Sequence, residues 1–292
     1  MKRILVVADA ADQPQHTIRR AVNLNARLGA RLDIVGFVYE HIINLPEEIS
    51  AASVAKIKKA VANKRAEDLK EAVTKAVANH KMKTKVEVHW EKRISDWINE
   101  RLKEKEYDLV VKGGNRTETM LYTPTDWQIF RSSKAPVLLF AEKRWKKGAH
   151  VLAAVDLGTR SSSKKKLNHK IIEHAWEMAK ALECKLHVVY AIPISKVLID
   201  LEVLDRRSLR KEGKRLAEKF CARMESKGVE IEGVHVTTGA PEKVLVSTAA
   251  KQHARLVVLG CVGRKQLAGR VIGNTAEKIL RLVRADVLTI KP

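Results

Sequence analysis

The chain has 292 residues, 45% of them apolar, and a formal charge of +22. That length suits two domains of roughly 150 residues each, and no apolar run reaches the ~18–20 residues of a membrane helix. Three widely spaced cysteines, Cys184, Cys221 and Cys261, speak against a disulfide framework or a zinc ribbon.

The positive charge is shared evenly. Residues 1–147 hold 29 Lys+Arg and 19 Asp+Glu, and residues 148–292 hold 27 and 15, giving +10 and +12. Such a field attracts nucleotides, nucleic acids and other anions, but no zinc-finger spacing, basic zipper or RNP-type aromatic motif accompanies it. Met1-Lys2-Arg3 leads straight into an apolar strand with no signal peptide, so a cytoplasmic protein is expected.

In chain order, Ile4–Val7 reads as a strand ending at Asp9, followed by a helix from about His16 to Leu28 closed by Gly29. Leu32–Tyr39 is a second strand, Ala51–Asn79 a long Ala/Lys-rich helix, and Thr84–Trp90 an alternating strand. Ile94–Lys105 forms a helix, Leu109–Val111 a strand ending at Gly113-Gly114, Thr123–Ser132 a helix and Ala135–Phe140 a strand. After the basic segment Lys143–Gly148 the series repeats. Val151–Asp156 is followed by a helix near Asn168–Leu182, the strand Leu186–Ala191, a helix over Asp205–Ser226 and the strand Ile231–Thr237. The helix Pro241–Gln252, the strand Leu256–Leu259, the helix Thr275–Arg284 and the strand Val287–Ile290 complete the copy. Asp9 and Asp156 are 147 apart, as are Gly113 and Gly260, whereas Pro136 and Asp286 are 150 apart. The spacing predicts two tandem α/β domains, 1–143 and 149–292. Each is a doubly wound, five-stranded parallel sheet flanked by helices.

The chemically informative stretch lies late in the second copy. Val257-Val258-Leu259 is a buried strand, followed by Gly260, Gly263 and Gly273 and then a helix start at Asn274-Thr275-Ala276-Glu277. Glycines admit a ligand close to the backbone, and a helix start offers free N–H groups and a positive dipole end to phosphate. In a doubly wound sheet the crevice lies where winding reverses, here between the first and fourth strands. That places Asp156 beside the glycine loop. Asn274-x-x-Glu277 has capping-box spacing, with Asn as the N-cap. Asp156 reads equally well as a ligand to a ribose or as a strand-end carboxylate, and the loop as a phosphate cradle or as glycines kept for their turns.

Gly260-x2-Gly263-x9-Gly273 with a small polar residue after it, the carboxylate Asp156, the strand order and the tandem repeat together resemble the universal stress protein family, most of all its tandem members of the E type. The resemblance covers both halves. It implies a Rossmann-like fold and a stress-response role, with ATP or AMP bound in the second domain, in a sensing role with weak ATP hydrolysis at most. By this resemblance Asp156 faces adenine or ribose and Ala191 lines the base site. Gly260, Gly263, Arg264, Gly273, Asn274 and Thr275 would surround the phosphates. Asn274 stands where the family tends to carry Ser or Thr, and Ala191 where it tends to carry Val. The resemblance also implies that the two halves pack as an intramolecular pseudo-dimer along their fifth strands, with a homo-oligomer conceivable beyond that.

The first copy lacks the signature, with Arg116 and Thr123 where the second and third glycines would fall. Thr123-Pro124-Thr125-Asp126 reads as an N-cap, a proline at the first helical position and a first-turn acid. The loops His41–Pro46 and Met120–Tyr122 are apolar, which suits a hydrophobic or mixed ligand in this domain. A basic surface binding nucleic acid or other anions, with the glycine loop vestigial, is the competing reading.

Other signals are bland. No histidine set has zinc-ligand spacing, His169 and His174 being five apart, and His187 reads as a core-edge residue. Lys164-Lys165-Lys166 reads as a solvated basic loop, and Trp97, Trp127 and Trp176 as core anchors on helices.

Overall fold

The computed structural model describes residues 1–8, 14–39, 50–114, 124–141, 149–194, 205–262 and 273–292. The described residues up to 141 form one compact unit and those from 149 onward a second.

The first unit runs β1 (Arg3–Val7), α1 (Pro14–Leu28), β2 (Arg31–Val38), α2 (Ala51–Val77), β3 (Thr84–Trp90), α3 (Ile94–Glu104), β4 (Leu109–Gly113), α4 (Pro124–Ser132) and β5 (Val137–Phe140). Its strands lie in the order β3-β2-β1-β4-β5, all parallel. The second unit repeats the series as β6 (His150–Val155), α5 (Ser162–Leu182), β7 (Leu186–Ile192), α6 (Arg206–Glu225), β8 (Gly233–Thr238), α7 (Pro241–Lys251), β9 (Ala254–Gly260), α8 (Asn274–Leu282) and β10 (Asp286–Ile290). Its order is β8-β7-β6-β9-β10, again parallel. Parallel strands covered on both faces must be apolar throughout. Ile4 to Val7, Leu109 to Val111, Val151 to Ala153 and Leu256 to Leu259 are accordingly buried.

The helices follow from their sequence periods and caps. On α1, Ile18, Ala21, Val22 and Asn25 fall at helical spacing and are buried. The Asn25 side chain accepts from the Ala30 amide (2.9 Å) and donates to the Ala30 carbonyl (2.8 Å). It closes a turn in which Gly29 takes φ +68°, a conformation that suits glycine. The Asp205 side chain accepts from the Arg207 and Ser208 amides to start α6.

Two readings from sequence are corrected. α5 begins at Ser162, capped by Ser161, six residues before the expected Asn168. Lys164, Lys165 and Lys166 therefore lie in its first turns and not in a loop; long basic stems are good helix formers when their charged ends reach water. Trp97, Trp127 and Trp176 are on helices but only partly buried: Trp97 packs edge-on against the buried Phe37 (5.2 Å) and Trp127 against the buried Phe130 (6.3 Å), so these two pack at the edge of the core and not inside it.

Candidate functional site

In the second unit the chain winds from β6 out to β8, then crosses to β9 and out to β10, so the reversal falls between β6 and β9. Asp156 is the residue that leaves β6 at its carboxyl end. Its side chain is half-exposed and meets Lys164 Nζ at 3.2 Å from the first turn of α5. Its backbone is held firmly. The buried Asn168 side chain accepts from the Asp156 amide (3.0 Å) and donates to the Asp156 carbonyl (2.8 Å). Beneath the turn, the buried Tyr190 accepts a hydrogen bond from the Gly158 amide. Burial and the nearby Asp156 charge both push the Tyr190 hydroxyl pKa up. The carboxylate thus reaches solvent at its tip, where it carries only an exposed pairing with Lys164, and is fixed at its root, which is how a ligand-binding group is preorganised.

Ala191, near the end of β7 and in register with Thr237 of β8, is half-exposed. Gly260 ends β9 and pairs with Ile290. A Cβ added there would lie 2.6 Å from Leu167 Cδ2, 3.1 Å from Leu167 Cγ and 3.2 Å from Ile171 Cδ1. This glycine lets α5 settle on the sheet, a packing role that the sequence reading did not include. Gly260→Ala is expected to lower the stability of the second unit by about 1–3 kcal/mol through overpacking, measured by chemical denaturation. Cys261 follows, buried, its amide donating to the Ile290 carbonyl (2.8 Å) and its thiol pushed up to about 12 by burial. It is an inert small side chain.

Gly263 and Arg264 lie outside the described residues. Gly273 is the N-cap of α8, with extended backbone (φ −61°, ψ 142°) and no side-chain cap. Asn274 is therefore the first helical residue and not the cap, which corrects the capping-box reading. The Gly273 carbonyl accepts from the Glu277 amide (3.0 Å), while the Glu277 side chain pairs with Arg281 (2.8 Å). A Cβ on Gly273 would stand 3.0 Å from the Val262 carbonyl oxygen. The glycine lets the helix start come close to the backbone leaving β9. Thr275 is exposed in the first turn. An uncapped helix start carries unpaired N–H groups and positive potential.

The corresponding place in the first unit is built differently. Lys112 on β4 and Asp126 on α4 form an ion pair at 2.9 Å, both side chains essentially inaccessible to water. Lys112 Nζ also donates to the Gly113 carbonyl (3.1 Å). With offsets of 147 for the strand and 150 for the helix, their counterparts in the second unit are Leu259 and Ala276, both buried and apolar. Asp126 is thus more than a first-turn acid. The sequence reading carried this strand to Gly113-Gly114, as observed, but gave Lys112 no role; its partner Asp126, 14 residues later, was the available signal. Thr123 and the apolar segments His41–Pro46 and Met120–Tyr122 lie outside the described residues.

Among the described residues no group of three or more His, Cys, Asp or Glu could hold a metal ion, and no helix is long and apolar enough to cross a membrane.

The model of the universal stress protein family matches residues 1–141 and 149–291. The chain is 28% identical to Universal stress protein E of Escherichia coli K12, covering 100% of this chain and 94% of that one. It is 27% identical to a Universal stress protein E homolog of Haemophilus influenzae, covering 100% and 97%. A solved structure from Pseudomonas aeruginosa UCBPP-PA14 is 25% identical, with a TM-score of 0.71 over 100% of this chain and 94% of that chain. A universal stress protein from Archaeoglobus fulgidus DSM 4304, 15% identical, shares the fold with a TM-score of 0.66 over 98% of both chains.

Proposed function

The chain belongs to the universal stress protein family, and from that premise we propose that it is a stress-response protein whose second unit binds an adenine nucleotide, ATP or AMP, as a sensor and not as a catalyst. The observation that carries this reading is Asp156, a solvent-reaching carboxylate at the winding reversal whose backbone Asn168 pins from both sides. A fixed acceptor with a solvent-reaching tip suits the hydroxyls of a ribose or the amine of adenine.

The neighbouring groups fit the rest of such a ligand. Ala191 is small and half-exposed beside the base position. The uncapped start of α8 and Lys164 offer two sources of positive potential to phosphate. From sequence alone, Gly263 and Arg264 would flank the phosphates, and Asn274 and Thr275 would contribute first-turn amides. The wholly internal ion pair Lys112–Asp126 supports assigning the nucleotide to the second unit only, because there the first unit's polar groups are committed to one another.

A calorimetric titration of the full chain with ATP and with AMP tests the reading. One nucleotide per chain is expected, and Asp156→Ala is expected to weaken binding at least about tenfold, the worth of one charge-assisted hydrogen bond. Salt separates this from anion capture by the charged surface. Surface capture would fall steeply between low and moderate salt through counterion release, whereas crevice binding would change little. Equal affinity in wild type and Asp156→Ala would defeat the proposal.

A further inference from the structure

At the opposite end of the second sheet, three histidines from three adjacent strands form one hydrogen-bonded chain. His187 on β7 meets His150 of β6 through Nε2 (2.7 Å to Nδ1) and His235 of β8 through Nδ1 (3.0 Å to Nε2). The His150 ring stands edge-on to His187 at 4.4 Å between centroids, and the His235 ring stacks at 5.2 Å. His187 is buried, and Gly233 makes room for it, since a Cβ there would stand 2.8 Å from His187 Nδ1.

The repeat gives this cluster its meaning. By strand register, the first unit carries Arg3, Asp33 and Glu87 where the second carries His150, His187 and His235. In the first unit Asp33 is held by Arg31 (3.0 Å), Arg3 (3.8 Å) and the Tyr107 hydroxyl (2.8 Å), and Glu87 by Lys85, His89 and Arg101. Although burial works to raise it, Glu87 is brought down to about 2 by those neighbours. The first unit thus closes this end with fixed charges, and the second closes it with groups that titrate.

Proton counting shows what acid does. The chain has two N···N bonds, each holding one hydrogen, and two outer nitrogens. Three neutral rings carry three hydrogens, one in each bond and one on an outer nitrogen. A fourth hydrogen fills the other outer nitrogen and leaves both bonds intact. A fifth must place N–H against N–H in one bond and add a second positive charge. We propose that this three-histidine chain is an acid-operated latch on β8, the edge strand of the second unit, which is held from one side only: one added proton is tolerated, and the second breaks one of the two links that tie β6, β7 and β8 together at this end.

The surroundings fit. The charged and titratable groups at this end include Glu183 closing α5, Lys185 ahead of β7, Glu230 and Glu232 ahead of β8, His253 ahead of β9, Arg255 on β9 and Lys251 closing α7. Lys185 and Glu232 pair with each other (2.6 Å), and Arg255 donates to the Leu182 carbonyl (2.9 Å); the Glu232 charge works to raise His187, but burial and the two neighbouring imidazoles outweigh it. Burial first, then His150 and His235, push His187 down to about 4, and His235 is lowered in the same direction. With the native pKa depressed below 6.5, the folded state binds fewer protons than the unfolded chain between about pH 6.5 and 4. Stability is therefore lost as pH falls through that window. The latch stands independently of the nucleotide proposal, at the other end of the strands.

Amide hydrogen exchange of the full chain, corrected for intrinsic rates, reads the latch directly. Between about pH 6.5 and about pH 4.5, peptides covering β8 are expected to exchange at least about tenfold faster, while those covering β3 of the first unit stay within about twofold. The variant His150→Gln/His235→Gln should lose the response, because a glutamine can donate to or accept from His187 without taking a proton. Should that variant fail to fold, His235→Gln alone serves, since it removes the His187–His235 bond from titration. Equal acceleration of β3 and β8 in the wild type, or an undiminished response in the folded variant, would overturn the proposal.

Discussion

Asp126→Ala is expected to destabilise the first unit by about 3–5 kcal/mol, among the largest effects of any single substitution in this chain. The change leaves the Lys112 ammonium, itself inaccessible to water, without its counter-ion at 2.9 Å. Removing one member of a buried ion pair costs about this much because the remaining charge must be desolvated alone. The internal repeat supplies the control. Lys112→Leu with Asp126→Ala installs the side chains found at the corresponding places in the second unit, Leu259 and Ala276. The double variant is expected to recover most of the loss, since replacing a buried pair by apolar groups is often neutral or better. Three of the five tryptophans, Trp90, Trp97 and Trp127, lie in the first unit. Denaturant titration followed by tryptophan emission will therefore report chiefly on this unit. A double variant as unstable as Asp126→Ala would mean that the pair's surroundings have been shaped around its charges.

Asn168→Leu is the second large effect, expected to cost the second unit about 1–3 kcal/mol and to weaken nucleotide binding together with it. The side chain makes two hydrogen bonds to the Asp156 backbone, at 3.0 and 2.8 Å, from a buried position. Leucine is close in size but returns neither bond, so an amide and a carbonyl lose their partners. The functional consequence follows from the geometry: a carboxylate on an unpinned strand end loses its preorganisation. Comparing the stability loss with the affinity loss separates the two roles. Asp156→Ala should move affinity with little change in stability, since its pairing with Lys164 is exposed, and Asn168→Leu should move both.

The fold was legible because its signals are local. Short apolar or alternating runs, glycine at turns, and two register offsets gave ten strands in two copies and the parallel sheets. Readings erred where a residue type contradicted its place. Lys112 was passed over because a lysine does not announce burial, and the Lys164–Lys166 run hid the start of α5 because a basic cluster reads equally as loop or helix.

The candidate site was legible in part. Asp156, Ala191, Gly260, Gly273 and Thr275 come from the strand ends and helix start that the topology brings to one end of the sheet. Two roles needed three dimensions. Gly260 makes room for Leu167 and Ile171 from a helix almost a hundred residues earlier, and Asn168 reaches back to a turn that no periodicity connects to it. The three-histidine chain was hidden for the same reason. His150, His187 and His235 are separated by 37 and 48 residues, and only strand order and register make them neighbours.

The most direct test of nucleotide binding by the second unit is photolabelling of the full chain with 8-azido-ATP, located by peptide mass spectrometry. The azide reports the position of the base. The account predicts one label per chain on the peptide carrying β7 and Ala191, suppressed by excess AMP and strongly reduced in Asp156→Ala. Label on the first unit, or spread over the lysine-rich helices α2 and α6 and removed by moderate salt, would contradict it.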